Sequence, residues 1–119
     1  MRKSKITNYT EYSLFSSRPA ECIHHCIFGN GLHNLADQDG LTIPLTNAEH
    51  NLSSKGTINQ LHENPAAEKL SKMLGQAMWE RNYLIKQLGL PFESEDETFD
   101  RVSDECRAAF MKRYGRSYL

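Results

Sequence analysis

The sequence predicts an α+β domain, with two short strands in the first half and helices that fill the second half. Two apolar runs, CIHHCIF (22–28) and LTIPL (41–45), are separated by a Gly-Asn-Gly turn and a polar stretch. After residue 64, apolar residues recur at three- and four-residue steps, which is the period of an amphipathic helix. The length of 119 residues suits one modest domain. We therefore expect residues 1–119 to form a single domain.

The two apolar runs have the composition of strands. Residues 22–28 are rich in Ile, Cys and Phe, which favours a buried strand. Residues 41–45 form the second run, and its proline lacks a backbone donor, which predicts a position at a sheet edge. The segment 46–54 that follows predicts a short helix with Thr46 or Asn47 as its N-cap.

Two longer helices are predicted after these strands, over about residues 64–115. Asn64 suits the N-cap and Pro65 the first position of the first helix, with Gly89 just past its end. A second helix follows Ser94 and ends near Gly115. The expected core stripe of the first helix consists of Leu70, Met73, Leu74, Ala77, Met78, Leu84 and Leu88.

Composition excludes several classes of protein. Charged residues make up 24% and hydrophobic residues 39%, with a net charge of −1, as in ordinary globular domains. No apolar run approaches the roughly 20 residues that span a bilayer, so no membrane partner is expected. The amino terminus lacks the apolar core of a signal peptide, which predicts a cytoplasmic location with reduced cysteines. No particular oligomeric state is predicted.

The adjacent histidines His24 and His25 and the later His50 are the main candidates for chemistry. A neutral imidazole can bind a metal or accept a proton near pH 7. A metal-dependent phosphodiester hydrolase needs both functions, because one group deprotonates water while a cation neutralises the phosphate. A hydrogen-bonded histidine pair at a strand end is the alternative interpretation.

The stretch ECIHHCIFGNG (21–31) together with LADQDGLTIPLTNAEHN (35–51) resembles the HNH endonucleases, a branch of the ββα-metal (His-Me) finger nucleases. More closely, it resembles small HNH-type proteins of phages and prophages of Gram-positive bacteria. The resemblance covers about residues 12–64. It implies a ββα-metal finger, a short β-hairpin plus a helix over about residues 12–54, packed against the C-terminal helices. It also implies cleavage of DNA in the cytoplasm of a bacterial host.

The resemblance further implies a set of site residues. His24 and His50 correspond to the ligands of a divalent metal, Mg²⁺ or Mn²⁺, and His25 to the general base. With two imidazoles and no carboxylate, Ni²⁺ or Zn²⁺ are alternatives at this catalytic site. Asn51 and His62 are candidates for supporting the site. Candidate contacts to DNA phosphates are Arg18, Lys55, Lys69 and Lys72.

One departure from the family pattern concerns the middle asparagine, which falls on Leu41. Leucine cannot hydrogen-bond, so we expect Leu41 to be buried and His25 to be oriented by a main-chain carbonyl. Among the weaker candidates, His33 is expected to be a solvated loop residue. Asp37 and Asp39 are expected to cap the loop, with a metal contact as the alternative.

A second departure concerns structural zinc. Many family members hold zinc with four cysteines, whose positions here are Ser13, Ser16, Thr46 and Glu49. Hydroxyl groups are poor zinc ligands beside thiolates, so no structural zinc is expected. Cys22 and Cys26 are an unfavourable substitute, because residues four apart on a strand lie about 13 Å from each other.

These departures leave a second hypothesis beside the endonuclease. The chain could be a catalytically degenerate HNH finger that acts as a DNA- or protein-binding module. The loss of the zinc cysteines and of the middle asparagine favours this alternative. The presence of His24, His25 and His50 together favours the enzyme.

Overall fold

A computed structural model describes residues 3–50, 61–88 and 96–119. The fold is α+β, as predicted, with a two-stranded antiparallel sheet and several helices. Strand β1 (Cys22–His25) pairs with β2 (Thr42–Leu45). The register places His24 opposite Ile43 and His25 opposite Thr42. Strand β1 therefore carries both adjacent histidines at its carboxyl end, opposite the start of β2.

The connection between the strands differs from the short hairpin that the sequence analysis predicts. It contains helix α1 (Leu32–Gln38), which begins after Gly31 at a φ of 86°. The helix forms because Leu32, Leu35 and Ala36 share one face and pack on the core, with Ala36 fully buried. The polar residues around this short apolar face obscured it in the sequence.

The remaining elements are helical. Helix α2 (Asn47–His50) follows β2, and a single 3₁₀ turn (Leu61–Glu63) precedes helix α3 (Pro65–Tyr83). The α3 helix continues as a π-helical turn (Leu84–Leu88), and α4 (Asp96–Tyr114) completes the fold. The bounds of the two long helices fit the prediction for about residues 64–115.

The start of α3 confirms its predicted cap. The side chain of Asn64 accepts hydrogen bonds from the backbone N–H groups of Ala66 and Ala67, and Pro65 occupies the first turn. This arrangement satisfies two donors that a helix start otherwise leaves without partners. Gly89 and Ser94, named above as boundary residues, lie outside the described residues.

The buried face of α3 is rotated from the predicted stripe. Leu70 is 63% exposed and Ala77 is also exposed, so their assignment to the core is wrong. Ser71 and Gly75 are buried instead, because the segment after β1 packs closely against them. A Cβ atom on Gly75 would lie 2.8 Å from the Ile27 side chain. The small residues Ser71 and Gly75, rather than leucines, therefore allow α3 to pack closely against the segment that follows β1.

One hydrophobic core joins the sheet to the helices. Its fully buried members come from the segment after β1, from β2 and the residue before it, from α1 and from α4, and the largest side chains include Ile27, Leu41, Ile43, Leu45 and Phe110. Among the described helices, none has a stretch both long and apolar enough to cross a lipid bilayer.

Candidate metal centre

Three imidazoles meet where β1, α2 and the 3₁₀ turn come together. His24 lies on β1, His50 ends α2, and His62 lies in the turn before α3. One ring nitrogen from each lies within 4.8 Å of the other two. The structure thus brings together the two predicted metal ligands and adds His62, which the sequence predicts only as a supporting residue.

The tautomer of His24 follows from its neighbours. The Oγ of Ser71 lies 2.8 Å from the carbonyl oxygen of Cys26, to which it donates its proton. Ser71 Oγ therefore accepts a hydrogen bond from His24 Nε2–H, at 2.7 Å. The proton on Nε2 leaves Nδ1 with a free lone pair in the neutral ring. Ser71 thus orients His24 so that Nδ1 is the nitrogen that could bind a metal.

The free nitrogen of His24 is unusual for a buried polar atom. His24 is fully buried, and its Nδ1 has no hydrogen-bond partner among the described residues. A buried lone pair without a partner costs free energy, so such atoms are rare in folded proteins. A cation between the three rings would satisfy it.

His62 is oriented by a carboxylate. Its Nδ1 lies 3.3 Å from Glu68 Oε2 on the first turn of α3, and a carboxylate only accepts hydrogen bonds. The proton on Nδ1 leaves Nε2 free, and this atom lies 3.0 Å from Nε2 of His50. Pairs of a carboxylate and a histidine are the usual support of metal-binding imidazoles.

The spacing of the nitrogens suits a small cation. Bonds of about 2.0–2.1 Å at tetrahedral angles place two nitrogens about 3.3 Å from each other. The observed 3.0 Å between the Nε2 atoms of His50 and His62 is close to this value. Three neutral imidazoles without a carboxylate suit Zn²⁺, Ni²⁺ or Mn²⁺ better than Mg²⁺, which prefers oxygen ligands.

The local electrostatics keep His24 and His50 neutral. Burial, and then the proximity of His62 and His50, lower the pKa of His24 to about 3. Burial, and then the proximity of His62 and His25, also lower the pKa of His50. Both rings are thus free of competing protons at neutral pH, which favours binding of a cation.

His25 points away from this cluster, towards helix α1. Its Nε2 lies 3.0 Å from Asp37 Oδ1, and its ring packs against His33 with centroids 3.7 Å apart. The predicted main-chain carbonyl partner is therefore wrong, because α1 brings the Asp37 carboxylate to the same place. The hydrogen bond from His25 lowers the pKa of Asp37. The ionised carboxylate holds the proton on Nε2 and leaves Nδ1 of His25 as the basic nitrogen.

The predicted burial of Leu41 is confirmed, since its exposure is 0%. Its backbone N–H donates to the carbonyl of Ala36, and its carbonyl accepts from the N–H of Cys26. Leu41 thus holds the end of α1 beside β1 through its backbone, although its side chain takes no part in hydrogen bonding.

Asp39 caps α1, and its carboxylate accepts hydrogen bonds from Trp79, Arg113 and Tyr114 rather than facing the histidines.

The four positions that the resemblance assigns to zinc cysteines converge in the structure. Ser13 Oγ donates to Glu49 Oε1 at 2.6 Å, and the backbone N–H of Thr46 donates to the same oxygen at 2.9 Å. The N–H of Ser16 donates to Ser13 Oγ. Burial opposes ionisation of Glu49, but hydrogen bonds from Ser13 and Thr46 outweigh this and lower its pKa. An ionised carboxylate thus joins the amino-terminal loop to α2.

Three of the residues predicted to contact DNA lie in the described part of the chain, and they differ in their contacts with other side chains. Arg18 and Lys69 are exposed. The ammonium of Lys72 lies 4.6 Å from the ring centre of Phe28, a cation–π contact. The Phe28 ring itself packs against His24 and His62, so Lys72 places a positive charge beside the histidine cluster.

The remaining site predictions concern Asn51, Lys55 and the two cysteines Cys22 and Cys26. Asn51 and Lys55 lie outside the described residues. Cys22 and Cys26 do not form a shared site, because the Cys22 thiol contacts the carbonyl of Leu45 while Cys26 is fully buried against Gly75.

Sequence reasoning missed Ser71, Glu68 and the partner of His25. Ser71 and Glu68 lie three residues apart on α3, which places them on the same side of the helix. Both residue types are common on helix surfaces, so no signal in the sequence distinguishes them. Asp37 could have been found by recognising α1, since the helix fixes its distance from β1.

Comparison of the chain with models of protein families, with curated proteins and with solved structures finds no match.

Proposed function

We propose that this chain is a divalent-metal-dependent DNA endonuclease of the HNH type, with a ββα-metal finger built from β1, β2 and α2. The observation that carries the proposal is the convergence of His24, His50 and His62, with a buried lone pair on His24 that lacks a partner. A general base candidate, His25, is adjacent to the cluster in the chain and is oriented by its own carboxylate. The resemblance to phage HNH proteins supports the choice of DNA as substrate.

His24, His50 and His62 would hold the metal, and Ser71 and Glu68 would keep their rings in the metal-binding tautomers. A divalent cation bound there would neutralise negative charge on the scissile phosphate. Because the three ligands are neutral imidazoles, we propose Zn²⁺, Ni²⁺ or Mn²⁺ as the cation.

His25 would take the proton of the attacking water on Nδ1, while Asp37 keeps Nε2 protonated and stabilises the imidazolium that forms. In hydrolysis the water oxygen bonds to phosphorus, the bond to the 3′-oxygen breaks, and that oxygen takes up a proton. The His25 side chain is 13% exposed, which leaves it accessible to water.

Lys72 would bind a phosphate of the DNA backbone. Its ammonium is positioned by the Phe28 ring beside two of the proposed ligands. The exposed Arg18 and Lys69 are proposed as further phosphate contacts, which strengthen binding to any sequence.

The test is cleavage of supercoiled plasmid DNA by metal-free protein to which Mn²⁺, Ni²⁺, Zn²⁺ or Mg²⁺ is added. We expect nicking or cutting with at least one transition metal, and none with EDTA. His25→Ala is expected to lose about 10²–10⁴-fold in rate. His33→Ala is the matched control, because it removes the imidazole that packs against His25 and is expected to keep most activity.

Equal losses in the two variants would contradict the role of His25. If no metal supports cleavage while the protein still binds DNA, the degenerate DNA-binding finger becomes the better interpretation.

A further inference from the structure

A groove outside the histidine cluster lies between the amino-terminal segment and the carboxyl end of α3. Its lining includes Lys5, Asp39, Trp79, Tyr83 and Lys86, and it encloses about 340 Å³. We call it the Trp79 groove. Ser71, which supports His24, lies eight residues before Trp79 on α3, so the two sites are about 12 Å apart along the helix axis.

The wall of the groove is aromatic. The half-buried rings of Trp79 and Tyr83 are nearly parallel, with an interplanar angle of 17° and centroids 5.4 Å apart. Trp79 is fixed by a hydrogen bond from its Nε1 to Asp39 Oδ2 at 3.0 Å and by an edge contact with Phe110. A planar ligand entering the groove would meet a rigid aromatic pair.

The edge of the groove is basic. Lys5 also lines a second, adjoining groove, together with Lys3 and Arg81. These cations and Lys86 are exposed, and none forms an ion pair within the part of the chain that the structure describes. Although the whole chain carries a net charge of −1, the charged side chains among the described residues that line these two grooves are mostly positive.

The single carboxylate of the Trp79 groove does not oppose an anion. Asp39 forms a bidentate pair with Arg113, whose Nε and Nη2 atoms lie 2.6 and 2.7 Å from its oxygens. Tyr114 donates a further hydrogen bond at 2.7 Å. Together with the Nε1–H of Trp79, four donors therefore occupy the carboxylate. Among the described residues, the free charges at the two adjoining grooves are those of the lysines and Arg81.

We propose that the Trp79 groove binds an unpaired strand of DNA, with a base stacked against Trp79 and Tyr83 and phosphates at Lys5 and Arg81. Aromatic rings beside a row of cations are the general means of holding single strands without sequence preference. The choice of DNA over RNA rests on the proposed function, whereas the site itself requires no hydrolysis.

Trp79 is the only tryptophan of the chain, so it reports directly on its own groove. The experiment titrates a thymidine oligonucleotide of about ten residues into the protein in EDTA and follows tryptophan fluorescence at several salt concentrations. We expect saturable quenching whose affinity falls as salt rises. Each phosphate contact contributes a slope of about −0.7 in log K against log salt.

Two sets of variants separate charge from stacking. Lys5→Glu with Arg81→Glu is expected to weaken binding at least 10-fold and to reduce the salt slope by about 1.4, which is twice 0.7. Tyr83→Ala is expected to weaken binding about 10-fold without changing the slope. Lys112→Glu, an exposed charge reversal on α4 outside the groove, is the matched control and is expected to bind as the wild type. Circular dichroism spectra of each variant would check that it is folded.

The absence of quenching, or an equal loss in Lys112→Glu, would overturn the proposal. Tighter binding of the matching uridine RNA would overturn the assignment to DNA. Because the titration is done in EDTA, it does not depend on metal-dependent cleavage. Quenching in EDTA, together with no cleavage by the metal-supplied protein, would therefore support the groove and contradict only the enzyme.

Discussion

Replacement of Ser71 by alanine is expected to weaken metal binding by about 10- to 100-fold, the usual effect of removing a residue that orients a ligand. In the wild type, Ser71 Oγ accepts a hydrogen bond from the Nε2–H of His24 at 2.7 Å and donates one to the carbonyl oxygen of Cys26 at 2.8 Å. Alanine would leave the buried Nε2–H without an acceptor, so the ring would no longer favour the tautomer that frees Nδ1. The lost partner is also expected to cost about 1–3 kcal/mol of folding stability.

The assay is competition between the metal-free protein and a chromophoric chelator for Zn²⁺ or Ni²⁺, with urea unfolding measured in parallel. Nitrogen NMR of the histidine ring reports the tautomer of His24 directly. Ser103→Ala, a serine of α4 outside the cluster, is the matched control. An unchanged affinity in Ser71→Ala, or an equal loss in Ser103→Ala, would refute the inferred relay from Cys26 through Ser71 to His24.

Two further predictions concern stability. Glu49→Ala is expected to cost about 2 kcal/mol, because it removes the acceptor of Ser13 and Thr46, and urea unfolding beside the exposed control Glu105→Ala measures the difference. The metal-free protein is expected to lose stability as pH falls below about 6.5. Because the pKa of His24 is lowered from 6.5 to about 3, the unfolded chain binds a proton that the folded one excludes. The resulting loss in the free energy of unfolding is about 1.4 kcal/mol at pH 5.5. A His24→Gln variant whose stability kept the full dependence on pH would contradict the assignment to His24.

The features that could be predicted from the sequence are those determined by neighbouring residues. The cap at Asn64 depends on Pro65 and on two nearby N–H groups, and the strand pair depends on two apolar runs. The prediction of a plain hairpin failed because α1 has only three apolar residues on its face. Its stability comes from packing on the core, which no local pattern reveals.

The candidate site also contains residues that the sequence predicts and residues that only the packing of the fold brings together. His24 and His50 were predicted as ligands because their spacing resembles that of a family. Predicting His62 as a third ligand requires knowing that the 3₁₀ turn lies beside β1. That placement depends on how α3 packs. Ser71 was hidden for the same reason, because the expected stripe placed Leu70 inside and Ser71 outside. Gly75 reverses this by allowing the segment after β1 to approach the opposite face of the helix.

Binding of a cation by all three imidazoles would be coupled to folding of this chain. The three imidazoles come from separate elements, and His62 is 38 residues from His24 in the sequence. An unfolded chain cannot hold them within 4.8 Å, so a cation that binds all three stabilises the folded state by its own binding free energy. The hydrogen bonds among Ser13, Thr46 and Glu49 connect the neighbouring loop to α2 without metal. Hydrogen bonds can thus hold this loop against α2 without a metal, which leaves the histidine cluster free to bind the cation that we propose.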